Sequence, residues 1–122
     1  MFRVTFFLVF IGLASAQVPV TVTYYHAVPG QTDADPDVAA CGPIAQAPVG
    51  EGDIMVALSR DLFSRELCGQ LVLVRVKGEV VWGVVWDTMH PRFVRYVDLL
   101  MPAGVRWEHG KAKGELFWRY DD

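Results

Sequence analysis

Two aspartates stand at the ends of short apolar runs, Val84-Val85-Trp86-Asp87 and Tyr96-Val97-Asp98. A carboxyl in such a place can give or take a proton if its surroundings move its proton affinity toward neutrality. Asp87 and Asp98 are therefore the candidate catalytic residues. Each also has a plainer reading. Asp87 can organise a loop by accepting backbone N–H groups, and Asp98 can cap a short helix over Leu99 to Met101. His26 follows a tyrosine pair and is able to act as a base, whereas His90, beside Pro91, and His109 read as loop and turn residues.

The aromatic residues form the second set: Tyr24, Tyr25, Trp82, Trp86, Trp107, Trp118 and Tyr120. An exposed ring with polar groups at its edge suits the C–H face of a sugar. Trp82 and Trp86 are four apart, so in one strand they share a face and can form a platform, a spacing that equally suits the lining of a barrel. Tyr24, Tyr25, Trp82 and Trp86 are the candidate carbohydrate-binding residues. Two cysteines and three histidines show no zinc spacing, and nothing in the chain calls for a metal or another cofactor.

Strands must position these groups. Val18 to Val28 alternates β-branched and aromatic residues and predicts a first strand. A segment rich in Pro, Gly, Asp and Ala then runs to Asp53 as a long irregular loop,. Asp53 to Leu58 predicts a strand, and Ser59 caps a short helix over Arg60 to Glu66. The strongest signal is a hairpin, Gln70 to Lys77 and Glu79 to Trp86 about Gly78. Few residues in either arm are polar, as expected when both faces are covered in a closed barrel. Val97 to Met101 predicts a helical turn before Pro102, and Val105 to Trp107 and Glu115 to Tyr120 predict the last strands.

The first sixteen residues read as a secretory leader: Arg3, the apolar stretch Phe6 to Leu13, and Ala14-Ser15-Ala16 before Gln17,. The apolar stretch is too short to span a bilayer. Residues 17–122 are one domain's worth of chain, expected to be an extracellular, secreted monomer. With 52% hydrophobic and 20% charged residues the chain is no disordered spacer. Its net charge of −3, with lysines and arginines scattered along it, does not suit a nucleic-acid or membrane partner. Cys41 and Cys68 are an even count in an exported chain, which favours a disulfide between them. Asn is absent, so N-glycosylation is excluded.

In order, Thr23-Tyr24-Tyr25, Ala40-Cys41-Gly42, Met55-Val56-Ala57-Leu58-Ser59 with Leu62-Phe63 and Cys68-Gly69, Val84-Val85-Trp86-Asp87, Val97-Asp98-Leu99 and Gly114 to Trp118 resemble the motifs of the double-psi β-barrel domains. These are the expansins, barwin-like proteins and rare lipoprotein A-like domains, and the single-domain layout is similar to that of fungal loosenins. The resemblance implies an all-β, six-stranded double-psi barrel with one or two short helices and one disulfide. It also implies a secreted module that binds, and loosens without hydrolysis, a cell-wall polysaccharide such as cellulose, chitin or peptidoglycan.

Two departures bear on mechanism. The cysteine pair that many relatives carry after the first aspartate is replaced by Thr88 to Phe93, and the expansin His-Phe-Asp motif reads Tyr96-Val97-Asp98. Hydrolysis with inversion needs a second carboxyl, and none stands beside Tyr24-Tyr25, where similar cellulases place theirs. Two alternatives stay open: a lytic transglycosylase-like enzyme using Asp98 or Asp87, and a protein-binding module such as a protease inhibitor or effector.

Overall fold

The structure is a computed structural model and describes residues 17–26, 38–102 and 104–118. The expected leader, residues 27–37 of the expected loop region and Tyr120 lie outside the described residues. Six strands close into a barrel: β1 (Gln17–Tyr25), β4 (Ile54–Leu58), β5 (Leu71–Val76), β6 (Glu79–Thr88), β7 (Tyr96–Leu100) and β8 (Ala112–Trp118). Around the ring the order is β1, β7, β4, β6, β5, β8. Two parallel pairs, β1 with β7 and β4 with β6, are joined by antiparallel β7 and β4. The two-residue strands β2 (Val38–Ala39) and β3 (Gly42–Pro43) make a small hairpin outside the ring. This is the all-β, closed six-stranded architecture that the resemblance implies.

The alternation of side chains explains the closure. Val20 and Val22, Val56 and Leu58, Val72, Val74 and Val76, Val97 and Leu99, with Val85 and Leu116, point to one shared interior and are buried. Each contributes about 1.5 to 3 kcal/mol by leaving water. Short β-branched residues fit the narrow lumen of a six-stranded ring. Between Val56 and Ala57 the register of β4 on β6 slips by one, leaving Trp86 as the extra residue. Such a bulge re-aims the strand beyond it. The β5–β6 hairpin turns on Lys77 and Gly78, at φ of 49° and 81°, the paired positive angles of the turn that matches strand twist.

Three elements differ from expectation. Val97 to Met101 is no helical turn: Tyr96–Leu100 is β7, hydrogen-bonded between β1 and β4 with Val97 and Leu99 in the core. A five-residue run of apolar residues around one polar one fits either period, and the open edges of β1 and β4 decide it. Asp98 consequently caps nothing. Val105 to Trp107 is irregular, and Trp107 is buried as a lid, its indole N–H donating to the carbonyl of Gly110 at 2.9 Å. The expected helix over Arg60 to Glu66 is a turn followed by one 3₁₀ turn, Arg65–Leu67. Cys41 and Cys68 are bonded, with Cα atoms 5.8 Å apart.

Candidate functional site

On the outer face, the registers bring Thr23 of β1, Asp98 of β7, Ala57 of β4 and Asp87 of β6 into one row across four neighbouring strands. The two sequence-predicted acids are thus united on one surface, with only the methyl group of Ala57 between them. Two strand spacings separate their backbones by roughly 10 Å. Continuing the β1–β8 register by one residue sets Lys111 beside Thr23 at the other end of the row. Thr23, Tyr24, Tyr25, His26 and Lys111 line an open hollow of about 450 Å³ there.

Asp98 is half-buried, and the hydroxyl of Thr23 donates to its Oδ1 at 2.7 Å. Loss of water around the carboxyl pushes its pKa up to about 6; the Thr23 bond opposes that rise, and the negative charge of Asp87 adds to it. The group therefore changes charge in mildly acidic solution and can either donate to or accept from a ligand hydroxyl. Thr23 was legible only as part of the Thr-Tyr-Tyr motif. Its partnership with Asp98 spans 75 residues and follows from strand pairing that no local pattern announces.

Asp87 is more committed. Its Oδ1 accepts the backbone N–H of Ala40 at 2.9 Å and that of Thr88 at 2.8 Å. This is the loop-organising role expected of a strand-end aspartate. Beside it, the N–H of Cys41 donates to the carbonyl of Trp86 at 3.0 Å. The indole N–H of Trp86 reaches the carbonyls of Gly42 and Pro43, both at 3.2 Å. Asp87, Trp86 and the disulfide together hold the small hairpin as one lip of the groove. On β7, two residues before Asp98, Tyr96 is stacked edge-on with Phe93 at 4.9 Å.

The aromatic candidates divide. Tyr24 and Trp82 are the exposed rings, at 42% and 44%. Tyr25 shares the outward face of Thr23, while Tyr24 leaves the strand on the other side,. Trp82 lies across from Leu73, whose β8 neighbour is Phe117, so it belongs to the side of the barrel away from Asp98. The register slip falls between Trp82 and Trp86 and interrupts the alternation on which a shared platform rested. Trp118 is half-buried and packs against the core. His26 bonds the carbonyl of Val105 at 3.3 Å, and His109 bonds Glu79 at 2.7 Å. His90 accepts the N–H of Arg92 on its Nδ1. Among the described residues no group of His, Cys, Asp and Glu is placed to hold a metal, and no helix is long and apolar enough to cross a membrane.

Neither a family model nor a curated protein sequence matches the chain. Solved structures do. The apo form of an expansin from Clavibacter michiganensis superposes with a TM-score of 0.60 at 21% identity, over 87% of this chain and 52% of its own. The Streptomyces papain inhibitor superposes with a TM-score of 0.54 at 22% identity, over 84% of this chain and 94% of its own. The chain thus spans about half the length of the expansin and nearly all of the inhibitor. At these identities the likeness is one of fold: the barrel is expansin-like.

Proposed function

We propose that this expansin-like barrel is a secreted, extracellular module that binds cell-wall polysaccharide along the Thr23–Asp98–Asp87 row and loosens it without cutting it. The observation that carries this reading is Asp98: a half-buried carboxyl, bonded to Thr23 and raised in pKa, one strand away from the open hollow that Thr23 helps to line. Tyr25, on the face of the row, and Tyr24, which lines the same end hollow from the other side of the strand, offer rings to the sugar, and Asp98 exchanges hydrogen bonds with its hydroxyls. A glycan chain held so exchanges its bonds to neighbouring chains for bonds to the protein, which separates chains and leaves every glycosidic link intact.

Hydrolysis is the weaker reading because Asp87, the carboxyl that shares the row with Asp98 among the described residues, is already engaged by two backbone donors. Inversion also asks for carboxyls about 6.5 to 9.5 Å apart with water between. The deciding experiment combines retention and product analysis on cellulose, chitin and peptidoglycan. Retention that falls about tenfold in Asp98→Asn, the loss of one charged hydrogen-bonding group, with no soluble sugar released, is the expected result. Fragments that vanish in the same variant would establish a lytic enzyme instead. Absence of retention on every insoluble glycan would refute the groove.

The near-complete coverage of a papain inhibitor favours a second reading, a protein-binding module, since the superposition takes in 94% of that neighbour. Its contact surfaces would be the 38–53 segment and the 87–96 loop. Inhibition of papain at micromolar concentration or below, unaffected by Asp98→Asn, would move the conclusion there.

A further inference from the structure

Although the chain is acidic overall, the fold brings Lys77 to the neighbouring pair Lys111 and Lys113. Lys111 and Lys113 point outward from the start of β8, two residues and so about 7 Å apart. Since Val76 faces Gly114, the next step of the same register brings Lys77 beside Lys113. All three are exposed. Among the described residues no carboxylate lies within ion-pair distance of any of them; the ion pairs nearby are Arg75 with Glu115 and His109 with Glu79.

Each lysine is placed by its surroundings. Lys111 sits over the ring of Tyr96, 5.5 Å from its centre, and Lys113 reaches the hydroxyl of Thr21 at 3.4 Å. Two open hollows, of about 330 and 470 Å³, meet at Pro19, Lys113 and Gly114. Arg95 also lines the first, and its backbone N–H meets the carboxylate of Asp61 at 3.1 and 3.2 Å. Lys111 in turn borders the hollow at Thr23. A ribbon of three ammonium groups therefore runs into the groove.

The geometry points to an acidic polysaccharide, a polymer with carboxylate-bearing sugars, as the ligand whose charges meet Lys77, Lys113 and Lys111 while its chain enters the groove at Thr23. This rests on the glycan-binding reading above. Three spaced cations flanked by Asp98, Glu79 and Glu115 match an anion with one charge per sugar, set apart along a chain. A duplex, with a charge every 1.7 Å or so, would face those acids at close range. Lysine also suits the task as a point charge needing no fixed carboxylate orientation.

The test compares polygalacturonate with its methyl ester, the same chain without charge, by affinity electrophoresis. The expected result is binding of the free acid and loss of binding on esterification. Raising salt until the screening length falls from about 10 to about 3 Å should weaken it. Lys111→Gln with Lys113→Gln should weaken it about fivefold, a modest figure typical of exposed charges, and arginine at both positions should restore it. Equal binding of ester and acid, an unaffected double glutamine variant, or tighter binding of duplex DNA would each overturn the proposal. Asp98→Asn separates the two claims: undiminished binding of polygalacturonate in that variant, with the lysine effect intact, overturns the groove reading and leaves the ribbon standing. Loss of cellulose binding in Asp98→Asn without any preference for the acid polymer overturns the ribbon and leaves the groove.

Discussion

Asp98 links function to stability through its proton. Its folded-state pKa of about 6 lies above the ordinary value of 3.8, so the folded protein holds this proton more tightly than the unfolded chain does. Below pH 4 or so both states are protonated and the group is neutral in its effect. As pH rises through the window between the two values, the unfolded chain ionises first and stability falls; above about 6 the full penalty is present. The shift, allowing for partial exposure, corresponds to a penalty on the order of 2 kcal/mol. Asp98→Asn carries no charge to bury and can still accept the Thr23 hydroxyl on its amide oxygen. It should therefore raise the urea midpoint at about pH 7.5 and leave it nearly unchanged at about pH 4, while weakening glycan binding. A variant destabilised equally at both pH values would show that burial of the charged form is not what shifts this group. The acid itself was legible in the sequence; its proton affinity was not, because that depends on Thr23 and Asp87 being brought beside it by three different strands.

The lip of the groove shows how one element is held by several weak devices. Cys41–Cys68 closes a loop of 27 residues in sequence separation, and Asp87 and Trp86 bond the backbone on either side of Cys41. Replacing both cysteines by serine should cost about 3 to 4 kcal/mol in the chain-entropy account, read as a lower denaturant midpoint. Unchanged stability would show that the hairpin is held by Asp87 and Trp86 alone. Even count and secretory context made the disulfide legible, and the alternating hairpin of β5 and β6 was equally plain. β7 was not. Tyr96 to Leu100 is too short for a period to emerge, and its strand character comes from the edges offered by β1 and β4 rather than from its own residues. The bulge at Trp86 was invisible for a related reason, since a register slip is a property of two strands.

At the scale of the whole molecule the interior of a six-stranded ring leaves no slack. A Cβ added at Gly83 would stand 2.5 Å from the Cγ1 of buried Val56, so Gly83→Ala should destabilise the barrel by about 1 to 3 kcal/mol through overpacking, without touching the outer groove. A thermal midpoint equal to wild type would mean that Val56 can rotate away freely. The valine-rich runs announced a barrel because both faces of each arm had to be covered. Which strands would neighbour one another, and hence which side chains would share a row, came from the ring order alone. The lysine ribbon illustrates the limit: Lys77 lies more than thirty residues before Lys111 and Lys113 in the chain and beside Lys113 on the surface.

Strand β1 has β7 and β8 as its only neighbours in the ring, and Thr23 meets its partner Asp98 75 residues later. On the ribosome the first strand therefore emerges with nothing to pair with, and at 5 to 20 residues per second or so it waits several seconds for β7 and longer for β8. The β5–β6 hairpin and the β4–β6 pair have all their residues earlier, but the ring itself stays open throughout translation. The barrel closes only once β8, the last strand made, has joined β1 to β5.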